Sequence, residues 1–265
     1  MKIAFIGAGN MAFAIAQGII SSNIAKATDI VLYDINPNQY EKFDKDCFLA
    51  HSIDELASIS DYIFLSIKPQ NLKAVLSSVE ANVFNGKTVI SICAGIPIKT
   101  IEAFIADVGV VRAMPNTPLL IGQGVTALCH NGNVSEEKLT FVSKMFSSSG
   151  TVIFVEESDI NNITAITGSA PAYVYLFIKS MQDAAIKLGF TSDQTTEIIC
   201  KTFIGASNMV LSTDKTVEEL ISMVKSPNGT TERALNSFEE NNLQNIIFDA
   251  MDKCAKRADE LSKID

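Results

Sequence analysis

A strand, a glycine turn and a helix, all within the first 22 residues, constrain this chain more than anything that follows. Lys2-Ile-Ala-Phe-Ile6 is an apolar run of strand length; Gly7-Ala-Gly-Asn-Met-Ala12 follows at once, and helical periodicity then runs to about Ser22. A second strand closes on Asp34. Each part of the turn has its own job. Gly7 allows the sharp reversal from strand to helix, Gly9 lets a pyrophosphate approach the backbone, and Ala12 is small enough for the helix to pack on the strands. The helix start aims unpaired N–H groups and the positive end of its dipole at the phosphates. The spacing G-x-G-x-x-A also serves ordinary turns. Its setting, between a buried strand and an amphipathic helix with an acid closing the next strand, reads as a dinucleotide cradle.

From Met1 to about Val155, β-rich runs alternate with helical pieces, which predicts a parallel sheet covered on both faces. Strands are expected at residues 2–6, 29–33, 47–50, 62–66, 88–92, 108–113, 124–130 and 151–155. Helical pieces begin after Asn36-Pro37, near Ile53, at Pro69, at Pro97 and at Ser135, where Glu136 and Glu137 suit a first turn. From Ser158 the strand pattern ends, and helices are expected at 161–167, 171–188, 193–211, 217–225, 230–240 and 243–261. The fold class is therefore α/β: an N-terminal dinucleotide-binding domain, residues 1–157, followed by an all-α domain, residues 158–265. The helix at 171–188 is apolar on more than one face, through Val174, Leu176, Phe177, Met181, Ala184 and Ala185. A small domain could hardly cover it, so a partner subunit is expected, giving a homodimer with a shared helical core.

Composition narrows the function. A chain of 265 residues, 47% hydrophobic, can fill two cores. The formal charge of -9 and the presence of only Arg112, Arg233 and Arg257 as arginines argue against a nucleic-acid surface. Five cysteines, Cys47, Cys93, Cys129, Cys200 and Cys254, are odd in number and lack a C-x-x-C pair. They suggest neither a disulfide scaffold nor a metal site, and fit a reducing, cytoplasmic setting. The apolar start is not expected to act as a secretory leader, since Lys2 is a poor basic region and Asn10, Gln17 and the glycines interrupt the run. With no apolar run of about 18 residues, no membrane span is expected.

Asp34 is placed to accept from the adenosine ribose hydroxyls, and its charge would repel a 2′-phosphate. The next loop has no arginine, and Lys42 is its first basic residue. These features favour NADH, while Asn36 and Asn38 keep NADPH open. Three more loops leave strands at their C-terminal ends, where open α/β sheets bind ligands: Ser66-Ile-Lys-Pro69, Cys93-Ala-Gly95 and Met114-Pro-Asn-Thr-Pro118. Lys68 could reach a phosphate or ribose, and Asn116 and Thr117 offer an amide and a hydroxyl from a stiff turn.

Only two histidines are present, His51 beside a weak strand and His130 before an Asn-Gly turn, and neither loop looks catalytic. A hydroxyl substrate would call for such a base, so its absence favours a substrate that arrives activated, such as a protonated imine. In the helical half, Ser226-Pro-Asn-Gly-Thr-Thr-Glu-Arg233 combines a tight turn with two threonines opening a helix. Backbone N–H groups and hydroxyls there suit a small carboxylate.

Taken together, Phe5-Ile-Gly-Ala-Gly-Asn-Met11, Ile67-Lys-Pro69, Arg112-Ala-Met-Pro-Asn-Thr-Pro118, Gly168-Ser-Ala-Pro-Ala-Tyr173 and Ser226-Pro-Asn-Gly-Thr-Thr231 resemble the pyrroline-5-carboxylate reductase family, nearly end to end. The resemblance implies an N-terminal Rossmann domain, a helical C-terminal dimerisation domain, and NAD(P)H-dependent reduction of Δ1-pyrroline-5-carboxylate to L-proline. By motif position it implies that Ser226, Gly229, Thr230 and Thr231 hold the substrate, with the Thr231 hydroxyl near the imine nitrogen as the catalytic group. It places Gly7, Gly9, Asn10 and Met11 along the pyrophosphate and Lys68, Ala94 and Asn116 by the nicotinamide half, with Ile6 and Pro69 also among the cofactor-binding residues. Two positions depart from the family's pattern: Asn228 stands where glycine is usual, and Asp34 where a polar or basic pair is common. The rival readings are a related imine or β-hydroxyacid reductase, for which Lys179 would be the lysine to inspect, and a non-catalytic dinucleotide-binding sensor.

Overall fold

A computed structural model describes residues 1–262; the end of the expected second domain, residues 263–265, lies outside the described residues. The chain divides into two compact units, one made of Met1–Pro171 with the segment from Cys254 onward, the other of Ala172–Lys253.

In the first unit the elements run β1 (Ile3–Ile6), α1 (Asn10–Ser21), β2 (Ile30–Tyr33), β3 (Phe48–Leu49), α2 (Ile53–Ile59), β4 (Tyr62–Leu65), α3 (Leu72–Ser77), β5 (Thr88–Ser91), α4 (Ile98–Glu102), β6 (Gly109–Met114), β7 (Gly124–His130), α5 (Glu136–Ser147), β8 (Gly150–Phe154) and α6 (Ile160–Ile163). All eight expected strands form, in one sheet ordered β3-β2-β1-β4-β5-β6-β7-β8. Chain order reverses between β1 and β4, the position where open sheets of this kind bind their ligands. The sheet is not wholly parallel, as expected from the alternation, because β7 runs antiparallel to β6, with Arg112 opposite Cys129. The reason is the connection. Only residues 115–123 join β6 to β7, including a 3₁₀ turn at Thr117–Ile121, too short for the crossover that a parallel pair requires.

Side chains alternate between two apolar layers, as strands buried on both faces demand. Phe5, Leu32, Phe64 and Ile90 face Ala12, Ile15 and Ile19 of α1 and Val142, Met145 and Phe146 of α5. Phe5 and Phe64 stack with centroids 4.6 Å apart. On the other face Ile6, Val31, Ile63, Leu65 and Val89 meet Leu56 of α2, Leu72 of α3 and Ile101 of α4. Arg112 is buried and tied down: Nη1 lies 3.3 Å from Glu157 Oε1, and Nη2 donates to Asn161 Oδ1 at 3.0 Å. Asn161 in turn donates to Asp259 Oδ1 at 2.7 Å, pinning the C-terminal segment to this unit.

The expected helix at 161–167 is α6 followed by a π-helical turn, Thr164–Gly168, a rare widening that often accompanies functional sites. Next come α7 (Ala170–Lys187), α8 (Ser192–Leu211), α9 (Val217–Val224), α10 (Thr230–Glu240) and α11 (Leu243–Leu261). Of the second unit's described side chains, only those of Thr195 and Ile199 are buried. Leu176, Leu211, Val224 and Phe248 are 66, 85, 68 and 72% exposed, so one copy of this unit has almost no core of its own.

Candidate functional site

The cradle forms as the sequence demands. Gly7 adopts φ +95°, and a Cβ there would sit 2.5 Å from the Ser66 carbonyl oxygen, so both torsion and space require glycine. Its N–H donates to Tyr33 O at 2.8 Å, which stitches the turn to β2. At Gly9 a Cβ would meet nothing within 4 Å, so open space lies over the backbone at the N-cap of α1. No side chain caps that helix and no acid occupies its first turn. The N–H groups at Asn10 and Met11 are therefore available to an anion, and the chain's own geometry fits a dinucleotide's pyrophosphate.

The strand register brings the other loops to the same edge. Ile6 pairs with Tyr33 and with Leu65, Leu65 with Ser91, and Ser91 with Arg112, so β1, β2, β4, β5 and β6 all end side by side. Ile6, Gly7, Gly9, Asn10, Met11, Asp34, Lys68, Pro69, Ala94 and Asn116 lie at or just beyond those ends. Lys68 and Ala94 are exposed. Asn116 is buried, and its amide is spent on backbone: Oδ1 accepts from Val125 N–H at 2.9 Å and Nδ2 donates to Thr167 O at 3.1 Å. It braces the start of β7 against the π-helical turn.

The loop after β2 differs most from expectation. Asp34 does not simply project toward a ribose. Its Oδ2 accepts from Ala8 N–H at 2.7 Å and its Oδ1 from Asn36 N–H at 2.8 Å, latching the glycine turn to the next loop. The Tyr40 hydroxyl closes the loop from below, donating to Asp34 O at 2.9 Å. Residues Pro37–Lys42 form a 3₁₀ helix whose N-cap, Asn36, accepts from Asn38 N–H. Its last residue, Lys42, donates from Nζ to Asn10 Oδ1 of α1 at 3.0 Å and to Gln39 Oε1 of its own 3₁₀ helix at 2.7 Å. Nothing in the local pattern marks Tyr40 or Lys42. The signal is the contact of Phe43 with Phe13, edge to face at 5.5 Å, across a separation of 30 positions.

In the helical unit, Gly229 N–H donates to Ser226 O at 3.0 Å, so Ser226 to Gly229 is a closed turn, and Gly229 caps α10. Asn228 takes φ +58° in the left-handed region, which explains the departure from glycine: asparagine is among the few side chains that tolerate it. Gly229 has ordinary torsions, but a Cβ there would lie 2.3 Å from Ser226 Oγ and 2.9 Å from Ser226 O. Glu232 accepts from Asn228 N–H at 2.8 Å and lies 3.7 Å from Lys225 Nζ, which balances its charge. Thr230 and Thr231 occupy the first turn of α10, and no side chain caps that end. Thr231 also lines an apolar cavity of about 400 Å³ with Met209, Leu220, Ile221, Val224 and Leu235.

His51 and His130 are exposed, and His130 Nδ1 contacts Asn131 O at 2.8 Å. Lys179 is exposed and ion-paired with Asp183 one turn on, so it is not poised as a hydroxyacid reductase's base. Cys93 is buried with its thiol on Leu65 O and Ile67 O, and burial pushes it up to about 11. All five cysteines are free thiols, and among the described residues no cluster of His, Cys, Asp and Glu could hold a metal. No helix among them is long and apolar enough to cross a membrane.

Residues 157–261 match the family model described as pyrroline-5-carboxylate reductase dimerisation, and residues 2–95 match that described as NADP oxidoreductase, coenzyme F420-dependent. The pyrroline-5-carboxylate reductase of Pseudomonas aeruginosa is 35% identical over 266 residues, covering 99% of this chain and 97% of the relative. That of Escherichia coli is 34% identical, covering 99% and 98%. This chain belongs to the pyrroline-5-carboxylate reductase family. The fold agrees throughout: the crystal structure of the Plasmodium falciparum pyrroline carboxylate reductase with NADP bound superposes with a TM-score of 0.92 at 31% identity, covering 99% of this chain and 98% of that one. The family resemblance and the Rossmann-plus-helical fold class expected from the sequence are both borne out.

Proposed function

We propose that this chain reduces Δ1-pyrroline-5-carboxylate to L-proline with NAD(P)H, the last step of proline biosynthesis. The observation that carries the reading is the end-to-end family match of a chain holding both an open glycine turn at Gly7 to Met11 and a closed Ser226 to Gly229 turn that leads into Thr230 and Thr231. When bound, the reduced nicotinamide supplies the hydride. The chain's own residues bind and orient. Ile6, Gly7, Gly9, Asn10 and Met11 carry the pyrophosphate, and Asp34, Lys68, Pro69, Ala94 and Asn116 flank the rest of the cofactor. Ser226, Gly229 and Thr230 hold the substrate carboxylate through the N–H groups and hydroxyls of the α10 start, where the helix dipole favours an anion. Thr231 directs its hydroxyl to the imine nitrogen and is the catalytic residue. With no strong acid at hand, fixed orientation is the main source of rate.

The functional division falls between residues 157 and 158, and the working assembly is a homodimer, or a larger oligomer built from dimers, in which a second copy covers the apolar faces of α7, α8, α9 and α11. The setting is the cytoplasm. The Asp34 charge favours NADH, but its carboxylate also accepts from Ala8 and Asn36 N–H, so the choice between the two nucleotides rests with the neighbouring loop residues as well.

The test is to follow reduced-nicotinamide absorbance with pyrroline-5-carboxylate and each cofactor in turn, and to identify proline as product. Absence of cofactor oxidation under both conditions would leave the sensor reading standing.

A further inference from the structure

We infer that Lys42 binds the 2′-phosphate of the cofactor's adenosine ribose and sets a preference for NADPH. The inference rests on the proposal that the glycine turn carries a dinucleotide. In such a cradle the pyrophosphate lies on the first turn of α1 and the adenosine ribose against the end of β2. Lys42 spans these two landmarks. It leaves the 3₁₀ helix that follows β2, and its ammonium reaches Asn10 on the first turn of α1. The position is imposed by packing, because Phe43 is buried against Phe13, one turn along α1 from Asn10, and Tyr40 fastens the loop to Asp34.

Charge supports the assignment. Lys42's two partners are neutral amide oxygens, on Asn10 and Gln39, so its charge is not cancelled by a carboxylate and one of its three N–H donors remains to be used. The acid that should oppose a phosphate, Asp34, accepts two backbone N–H groups and is turned toward Ala8. Asn36 and Asn38, on the same loop, add amides within a stretch that has no arginine. A dianionic phosphate would draw the ammonium from the amide oxygens, since a charge-assisted bond is the stronger.

The decisive measurement is direct binding of NADPH and NADH to the full chain, by nucleotide fluorescence or calorimetry, in wild type and in Lys42→Gln and Lys42→Arg. Loss of one charged contact should lower the ratio of NADPH to NADH affinity by roughly 10- to 100-fold in Lys42→Gln. Lys42→Arg, which keeps the charge, should restore most of it. Matched thermal midpoints of the free proteins confirm that folding is not the cause. An unchanged ratio, even with both affinities weakened together as a pyrophosphate contact would give, overturns the inference and leaves the dinucleotide reading intact. Failure of wild type to bind either nucleotide removes both.

Discussion

Gly229→Ala puts the substrate turn under a measurable load. Its torsions allow any residue, so the whole effect comes from space: the new methyl would lie 2.3 Å from Ser226 Oγ and 2.9 Å from Ser226 O. The hydroxyl can rotate away. The carbonyl belongs to the turn itself and must retreat by about 0.5 Å to reach ordinary contact, stretching the 3.0 Å bond from Gly229 N–H toward the limit of a hydrogen bond. Losing that bond costs about 0.5–1.5 kcal/mol, and alanine is a poorer N-cap than glycine by about as much. A midpoint lowered by roughly 2–6 °C should follow. Catalysis should suffer more, because a displaced carboxylate carries the ring with it; we expect kcat/KM for pyrroline-5-carboxylate to fall about 10- to 100-fold, or about 1.4–2.7 kcal/mol. Cofactor affinity, measured separately, should hold. The double variant Ser226→Ala/Gly229→Ala relieves the hydroxyl clash but leaves the carbonyl one, so it should recover little stability, and with a substrate-holding hydroxyl gone it should recover no kcat/KM. A Gly229→Ala enzyme with full kcat/KM would show that this turn does not position the substrate.

Thr231→Ala should lower turnover by roughly 10- to 1000-fold, about 1.4–4 kcal/mol, with nucleotide binding unchanged; steady-state kinetics showing full activity would reassign the residue. Burial pushes the Cys93 thiol from 9.0 up to about 11, so the folded state keeps a proton that the unfolded chain releases. Stability is whole below pH 9 and is lost as pH climbs to about 11, by about 3 kcal/mol from this group. Thermal midpoints at pH 8 and above pH 10 should differ less in Cys93→Ala than in wild type, and equal slopes would refute the assignment. Sedimentation of the purified protein at micromolar concentration should show a dimer or larger species; a stable monomer would mean that the exposed faces of the helical unit are covered some other way.

Much of this was legible from residues alone, for reasons that can be located. Strands β1, β2 and β4 are continuous apolar runs because they are buried on both faces, and the α10 start is announced by Pro227-Asn-Gly229 before two threonines. What escaped depends on long-range contacts. The reversed direction of β7 follows from a short connection rather than from any residue pattern, since an inward-facing strand reads the same either way. Asp34 stands out in the sequence as a candidate residue of the cradle, yet its partner, Ala8 N–H, is 26 positions away and invisible in a local window. Lys42 registers in the sequence only as the first basic residue after β2, because the packing of Phe43 on Phe13, which aims it, belongs to the tertiary structure.

The lacing of Asp34 to Ala8 and Asn36 has a consequence for how a nucleotide is received. A receptacle already held in shape by its own carboxylate spends little conformational entropy when a guest arrives. Docking should therefore be swift, with a modest heat-capacity change and little backbone rearrangement, whereas cutting the lace with Asp34→Ala would make the incoming nucleotide do the folding of the loop itself.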